Sequence, residues 1–168
     1  PFVTVAGVGF YERPEIRDLL NMMVALSNPW DDTAMAGFLR SPAVGLKDAS
    51  LYRLRYDEGG EVRSYYQALQ TYETCLPESE HRAARWALEI LEEFVPLANH
   101  VSVADFLTRL VHFLDYRAIL MSGGARVVRN LDKLLEDARE SQLIQVSAFL
   151  EYLTFLRASG VRAGEAVS

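Results

Sequence analysis

The side chains able to do chemistry are few and scattered. The histidines His81, His100 and His112 and the single cysteine, Cys75, fall at no metal-ligand spacing, and HExxH is absent. Neither a zinc site nor any other metal centre is expected. His112 and Asp115 stand three apart, as neighbours on one helix face would, which suits an acid–base pair or an ordinary side-chain contact. Cys75 has no His or cationic cluster beside it in sequence to favour a reactive thiolate. Glu89, Glu92 and Glu93 could attract a cation, but their spacing also makes a solvated helix face. Tyr65 and Tyr66, with Arg63 nearby, could stack on bases or pack a Tyr-rich short helix. Gly123-Gly124-Ala125-Arg126 could offer backbone N–H groups to an anion at a helix start, or simply break a helix. Gly7-Val8-Gly9 lacks the third glycine of a dinucleotide fingerprint, and no GxxxxGK(S/T) loop is present to cradle nucleotide phosphates. The one concentration of positive charge is Arg40, Lys47, Arg53 and Arg55, opposed between positions 40 and 55 only by Asp48. Lys and Arg on a turn can neutralise phosphates without reading base sequence.

The elements that must position these residues are helical. Pro14 suits a first helical position, and Ile16, Leu19, Leu20, Met23 and Leu26 form an apolar face that Asn28-Pro29 closes. Asp31 or Asp32 caps a second helix with Met35, Phe38 and Leu39. Pro42 and Gly45 mark a turn, and Asp48 is expected to cap a segment with Leu51, Tyr52 and Leu54. Gly59-Gly60 is a loop, and 62–72 reads as another helix bearing Tyr65, Tyr66, Leu69 and Tyr72. Over 78–98 the apolar stripe is Ala83, Trp86, Ile90, Phe94 and Leu97. Ser102 and Asp105 form a capping box before Phe106, Leu107, Leu110, Val111 and Leu114. After Gly123-Gly124, two more helical periods cover 125–140 and 143–158. The expected class is all-α, roughly seven or eight helices in one domain spanning 1–168, with one short strand segment over 1–6.

Composition fits that class. Half of the 168 residues are apolar and 24% charged, with ten Gly and six Pro, which suits one folded domain and excludes a low-complexity chain. Seventeen basic against twenty-three acidic residues give −6, a balance that disfavours a free-standing, sequence-blind nucleic-acid binder. The charge is uneven, with five basic and nine acidic residues over 61–120. One cysteine precludes an internal disulfide, so a reducing compartment, the cytoplasm, is the default expectation. No apolar run approaches the roughly 20 residues of a membrane span. The chain opens in PFVTVAG without Met, and Phe2–Val5 reads as a strand with no partner strand elsewhere in the sequence. The chain is therefore expected to be a segment of a larger protein.

The run from Gly7 to Leu51 resembles the start of the 2B insertion in UvrD-like superfamily 1 DNA helicases. The family pattern of a glycine pair, Phe-aromatic-Glu-Arg, Glu-Ile-x-Asp, Asn-Pro-x-Asp-Asp and a Ser/Thr-Pro…Gly-hydrophobic turn is met in order. Its positions are Gly7 and Gly9, Phe10 to Arg13, Glu15, Ile16 and Asp18, Asn28 to Asp32, and Ser41 to Leu46. Arg129-Asn130-Leu131 with Leu134-Leu135 is similar to the Arg-x-Asn-Leu helix of the AddA/RecB-like branch, and Glu165 to Ser168 to the stretch before the next helicase motif. Ala43 and Val44 replace two basic residues of the UvrD version of the turn, and Lys47 its final Gly, which favours the AddA/RecB-like branch.

The resemblance implies a non-catalytic module of an ATP-dependent helicase or helicase-exonuclease in recombination and repair. ATP and Mg belong to the parent and none to this segment, which lacks ATPase and nuclease motifs. The implied partners are duplex or forked DNA, the motor domains of the same chain, and a partner nuclease or helicase subunit that the acidic 61–120 stretch could meet. Residues 1–6 would run along the second motor domain. Arg40 and Lys47, with Arg53 and Arg55 behind them, are the candidate phosphate contacts. Glu15 and Asp18 would favour the positive end of the first helix as architecture.

Overall fold

The computed structural model describes residues 10–167, with side chains from 11 to 159. The expected strand over 1–6 and the Gly7/Gly9 pair lie outside the described residues. Among those described, ten α-helices and three short 3-10 turns form, with no strand beyond an isolated bridge between Tyr56 and Val62. The all-α expectation is borne out. No described helix is long and apolar enough to cross a membrane. The residues group into two compact units, one of Asp18–Ala98 and one of the segments before and after it.

Helix α1 (Pro14–Ser27), which enters the first unit at Asp18, stops where expected, because the residue before Pro29 is driven out of helical geometry. Asp31 caps α2 (Asp32–Arg40) by accepting the Ala34 N–H at 3.0 Å. Gly37 lets α2 approach α1 closely, since a Cβ there would stand 2.9 Å from Asn21 Nδ2. Leu19, Met22, Met23 and Leu26 of α1 and Met35, Phe38 and Leu39 of α2 are fully buried, each of the larger side chains contributing roughly 1.5–3 kcal/mol over exposure.

Helix α3 (Asp48–Arg55) departs from expectation at its start. The N-cap is Lys47, with Asp48 the first helical residue, turned outward to Arg40. The single helix expected over 62–72 is instead two short ones, α4 (Tyr65–Leu69) and α5 (Tyr72–Cys75). Val62 is taken by its bridge to Tyr56, and Ser64 caps α4 through the Gln67 N–H. After a 3-10 turn, α6 (His81–Phe94) buries Ala84, Ala87, Ile90, Leu91 and Phe94. That stripe is displaced from the expected one by about a residue: Ala83, Trp86 and Leu97 sit half-buried at its borders.

The second unit holds α7 (Val103–Phe113), α8 (Tyr116–Leu120), α9 (Ala125–Ser141) and α10 (Val146–Val167). Ser102 caps α7 through Asp105 N–H as the sequence predicts, and Phe106, Leu107, Leu110, Val111 and Leu114 are all buried. Helix α10 begins three residues later than the 143–158 period and runs past its expected end. Its start is set from afar, because Asn99 Oδ1 accepts the Val146 N–H at 2.8 Å from 47 residues away.

The Phe10–Ile16 segment is built into this unit by named polar contacts. Tyr11 donates to the Asp137 carboxylate at 3.1 Å, the Glu15 carboxylate accepts from Asn130 at 2.9 Å, and Glu12 pairs with Arg157. The buried Tyr116 hydroxyl donates to the Glu15 carbonyl at 2.9 Å. The Glu-Ile-x-Asp and Arg-x-Asn-Leu motifs, over a hundred positions apart, therefore meet through Glu15 and Asn130. Burial, with the Asp137 carboxylate beside it, raises the Tyr11 phenol well above its ordinary 10.0. Tyr11 is a neutral donor as a result.

Candidate nucleic-acid interface

The turn from Ser41 to Lys47 joins α2 to α3 and is fixed at five points. Buried Ser41 donates its hydroxyl to Phe38 O at 2.7 Å, Gly45 N–H reaches Ser41 O at 2.8 Å, and Leu46 N–H reaches Leu39 O at 3.0 Å. Gly45 takes φ +80°, left-handed backbone that strains any side chain with a Cβ. From α6, Trp86 Nε1 donates to Ala43 O at 3.1 Å, and just before that helix Glu80 accepts the Lys47 N–H at 3.4 Å. Ala43 and Leu46 are buried. The alanine that replaces a basic residue of the UvrD pattern is thus an inward-facing wedge. Replacing Trp86 with Phe keeps the ring and deletes the indole donor, stranding the Ala43 carbonyl. A loss of about 0.5–1.5 kcal/mol is expected in a urea melt.

The four basic candidates separate into different roles. Arg40 lies on the surface 3.2 Å from Asp48, with side chains 63% and 78% exposed. Such a pair is worth little in water and can be exchanged for a phosphate. Lys47 and Arg53 are exposed, and neither has an ion-pair partner among the described residues. Arg55 is drawn inward. Its guanidinium lies 2.7 Å from Asp32, donates to Arg63 O at 3.0 Å and stands 5.5 Å from the Tyr65 ring centre.

Arg63 and its tyrosines serve the scaffold in the same way. Arg63 donates to Leu54 O and Arg53 O, both at 2.7 Å, capping the last carbonyls of α3, and to Cys75 Sγ at 3.1 Å. Tyr66 packs edge-on against Trp30 at 5.2 Å. Burial raises the Tyr65 phenol above its ordinary value, with the Asp32 carboxylate adding to the effect and the Arg55 guanidinium opposing it. The rings exposed on this side are instead Tyr52 and Tyr56, 4.8 Å apart on α3 and its cap.

Sequence reasoning missed Arg82 and Arg85. Spaced three apart on α6, they line an open cleft of about 660 Å³ with Val44 of the turn, Ser79, Trp86 and Glu89. The signal was present as the row 82, 85, 86, 89, masked by the stronger acidic run from Glu89 to Glu93 on the same helix.

Asp115 adopts φ 49° at the start of α8, with its N–H bonded to His112 O, and so serves as a turn residue. At Gly124 the N–H is taken by Met121 O at 3.2 Å, which leaves a helix break in place of an anion cradle. Among the described residues no three His, Cys, Asp or Glu side chains are placed to hold a metal ion.

No protein-family profile matches the chain. It is 26% identical over 163 residues to the AddA subunit of the ATP-dependent helicase/nuclease of Bacillus cereus (strain G9842), and as similar to that of Bacillus mycoides (strain KBAB4). To the subunit of the same name from Bacillus cytotoxicus it is 24% identical over 162 residues. Each match takes in 93% of this chain, which spans about 13% of the length of these curated relatives. The resemblance carried by the Gly7–Leu51 motifs is borne out, and the chain is homologous to a segment of the AddA subunit of ATP-dependent helicase/nucleases.

Proposed function

We propose that the chain is a non-catalytic accessory segment of an ATP-driven DNA helicase/nuclease acting in repair and recombination, and that it contacts duplex DNA beside the motor. The match along 93% of its length to the AddA subunit of the helicase/nuclease carries this reading. The contact surface is the Ser41–Lys47 turn with the outer side of α3, where Arg40, Lys47 and Arg53 meet phosphates and Arg55 holds the helix in place. ATP and Mg²⁺ act in other parts of the parent. A helicase must pass over any sequence, so phosphate contacts without base readout suit the task. Three cations bind weakly at physiological salt, and tethering to a motor that already grips DNA supplies the missing affinity as effective concentration.

The test is titration of the 168-residue chain with labelled forked duplex at low salt, beside an Arg40→Ala/Lys47→Ala/Arg53→Ala variant. Weak, salt-sensitive binding that falls roughly tenfold in the variant is expected. Unchanged affinity would remove these residues from the DNA surface. A second reading rests on the exposed row Glu89, Glu92 and Glu93 at the C-terminal half of α6. This row would dock a basic partner subunit, and its charge reversal would then abolish capture of that subunit while sparing DNA binding.

A further inference from the structure

Helix α6 carries its charges against its own dipole. The N-terminal end of a helix favours carboxylates and the C-terminal end favours cations, by typically 0.3–1 kcal/mol each. On α6 the arginines, Arg82 and Arg85, sit in the first turns, and Glu92 and Glu93 in the last. Arg82 and Arg85 are also like charges three apart, which is a further cost. Among the described residues no carboxylate forms an ion pair with either. Glu78 and Glu80 just upstream relieve part of this, but Glu80 is buried and already receives the Lys47 N–H. Two exposed guanidinium groups thus stand together against the helix dipole, although the Tyr72 hydroxyl and the Glu73 and Glu89 carboxylates favour the charge of Arg85.

Their surroundings give that placement a use. Both line the cleft together with Val44, within the Ser41–Lys47 turn, and Trp86, itself hydrogen-bonded to that turn through Ala43. Lys47 is brought beside the start of α6 through Glu80. Arg85 is further held by Tyr72, whose hydroxyl accepts its Nε–H at 3.4 Å. One carboxylate, Glu89, stands in the cleft and opposes an anionic ligand there.

We infer that this cleft seats the sugar–phosphate backbone of one DNA strand, with Arg82 and Arg85 on successive phosphates. The inference rests on the proposed DNA contact and extends it from the turn across to α6. Guanidinium groups bind phosphate oxygens in bidentate fashion and carry no base information, as a translocating enzyme requires.

The experiment is anisotropy titration of the 168-residue chain with a labelled duplex over roughly 50 to 200 mM salt. An Arg82→Gln/Arg85→Gln variant is expected to bind roughly tenfold more weakly at low salt. Its log affinity against log salt should lose about 2 from its slope, near 0.9 for each phosphate contact. Glu89→Gln is expected to tighten binding about twofold, a gain that a purely structural role for the carboxylate would not produce. All three positions are on the surface, and circular dichroism verifies that the variants fold.

Unchanged affinity and slope in the arginine variant, with binding lost in the Arg40→Ala/Lys47→Ala/Arg53→Ala variant, would overturn the cleft while leaving the turn contact standing. No DNA binding by the unmodified chain at low salt would overturn both. Displacement of the duplex by a polyglutamate peptide at equal charge concentration, relieved by Arg82→Gln/Arg85→Gln, would make the occupant an acidic peptide and overturn the assignment to DNA.

Discussion

Replacing Lys133 with Met is expected to destabilise the chain by about 2–4 kcal/mol, although Lys133 is itself a half-exposed residue. The cause is the partner. Asp137 is 2% exposed and Lys133 43%, and their charged atoms are 2.7 Å apart on successive turns of α9. Removing the lysine leaves a buried carboxylate whose remaining donor is the Tyr11 hydroxyl at 3.1 Å. Loss of one partner from a buried pair typically costs about 3–5 kcal/mol, and the solvent-reaching lysine path admits enough water to reduce that here. A Lys133→Met/Asp137→Leu/Tyr11→Phe chain should recover most of the loss, because no uncompensated charge or donor then remains. Urea melts of the single and triple variants measure both values. A wild-type midpoint for Lys133→Met would mean that Asp137 is hydrated and the buried network is not what fastens the Phe10–Glu12 turn to α9.

Arg55→Met is expected to lower stability by about 1.5–3 kcal/mol while leaving the DNA affinity of the folded chain unchanged. Arg55 and Asp32 are only 28% and 30% exposed, and Asp32 also accepts the Tyr65 N–H at 3.1 Å. One guanidinium thus ties α2, α3 and the start of α4 together. The substitution keeps an aliphatic stem over the Tyr65 ring but strands Asp32 and the Arg63 carbonyl. Thermal melts and duplex titration on the same preparation separate the two roles. Wild-type stability with weakened DNA binding would return Arg55 to the phosphate-binding set.

The contrast between Arg55 and Arg53 shows how far local sequence reaches. Both stand in one basic run, and helical periodicity placed both on α3. Nothing within a few residues of Arg55 specifies Asp32 or Arg63 O as its partners, because those contacts require α2 and the bridge at Tyr56 and Val62 to have assembled first. For the same reason the local sequence leaves Tyr65 and Tyr66, with Arg63, open to base stacking or to packing, whereas in the fold Arg63 is a helix cap and Tyr65 a cation-packed ring. Arg82 and Arg85 were legible as residues, but only the folded chain brings them into one cleft with Val44 of the Ser41–Lys47 turn.

What the sequence determined alone was set by short-range physics. Apolar spacing of three and four, Pro14 at a first turn, and caps at Asp31 or Asp32 and at Ser102 gave the all-α class and the helices α1, α2, α7 and α9 closely, since each depends on interactions within one or two turns. The ordered motifs between Gly7 and Leu51 gave the kinship. Tertiary structure alone decided which polar side chains bind solvent and which bind protein, where α10 begins, and that Glu15 meets Asn130. Those outcomes depend on partners brought together from distant positions, whose pairing energy exists only after the chain has closed the loops between them.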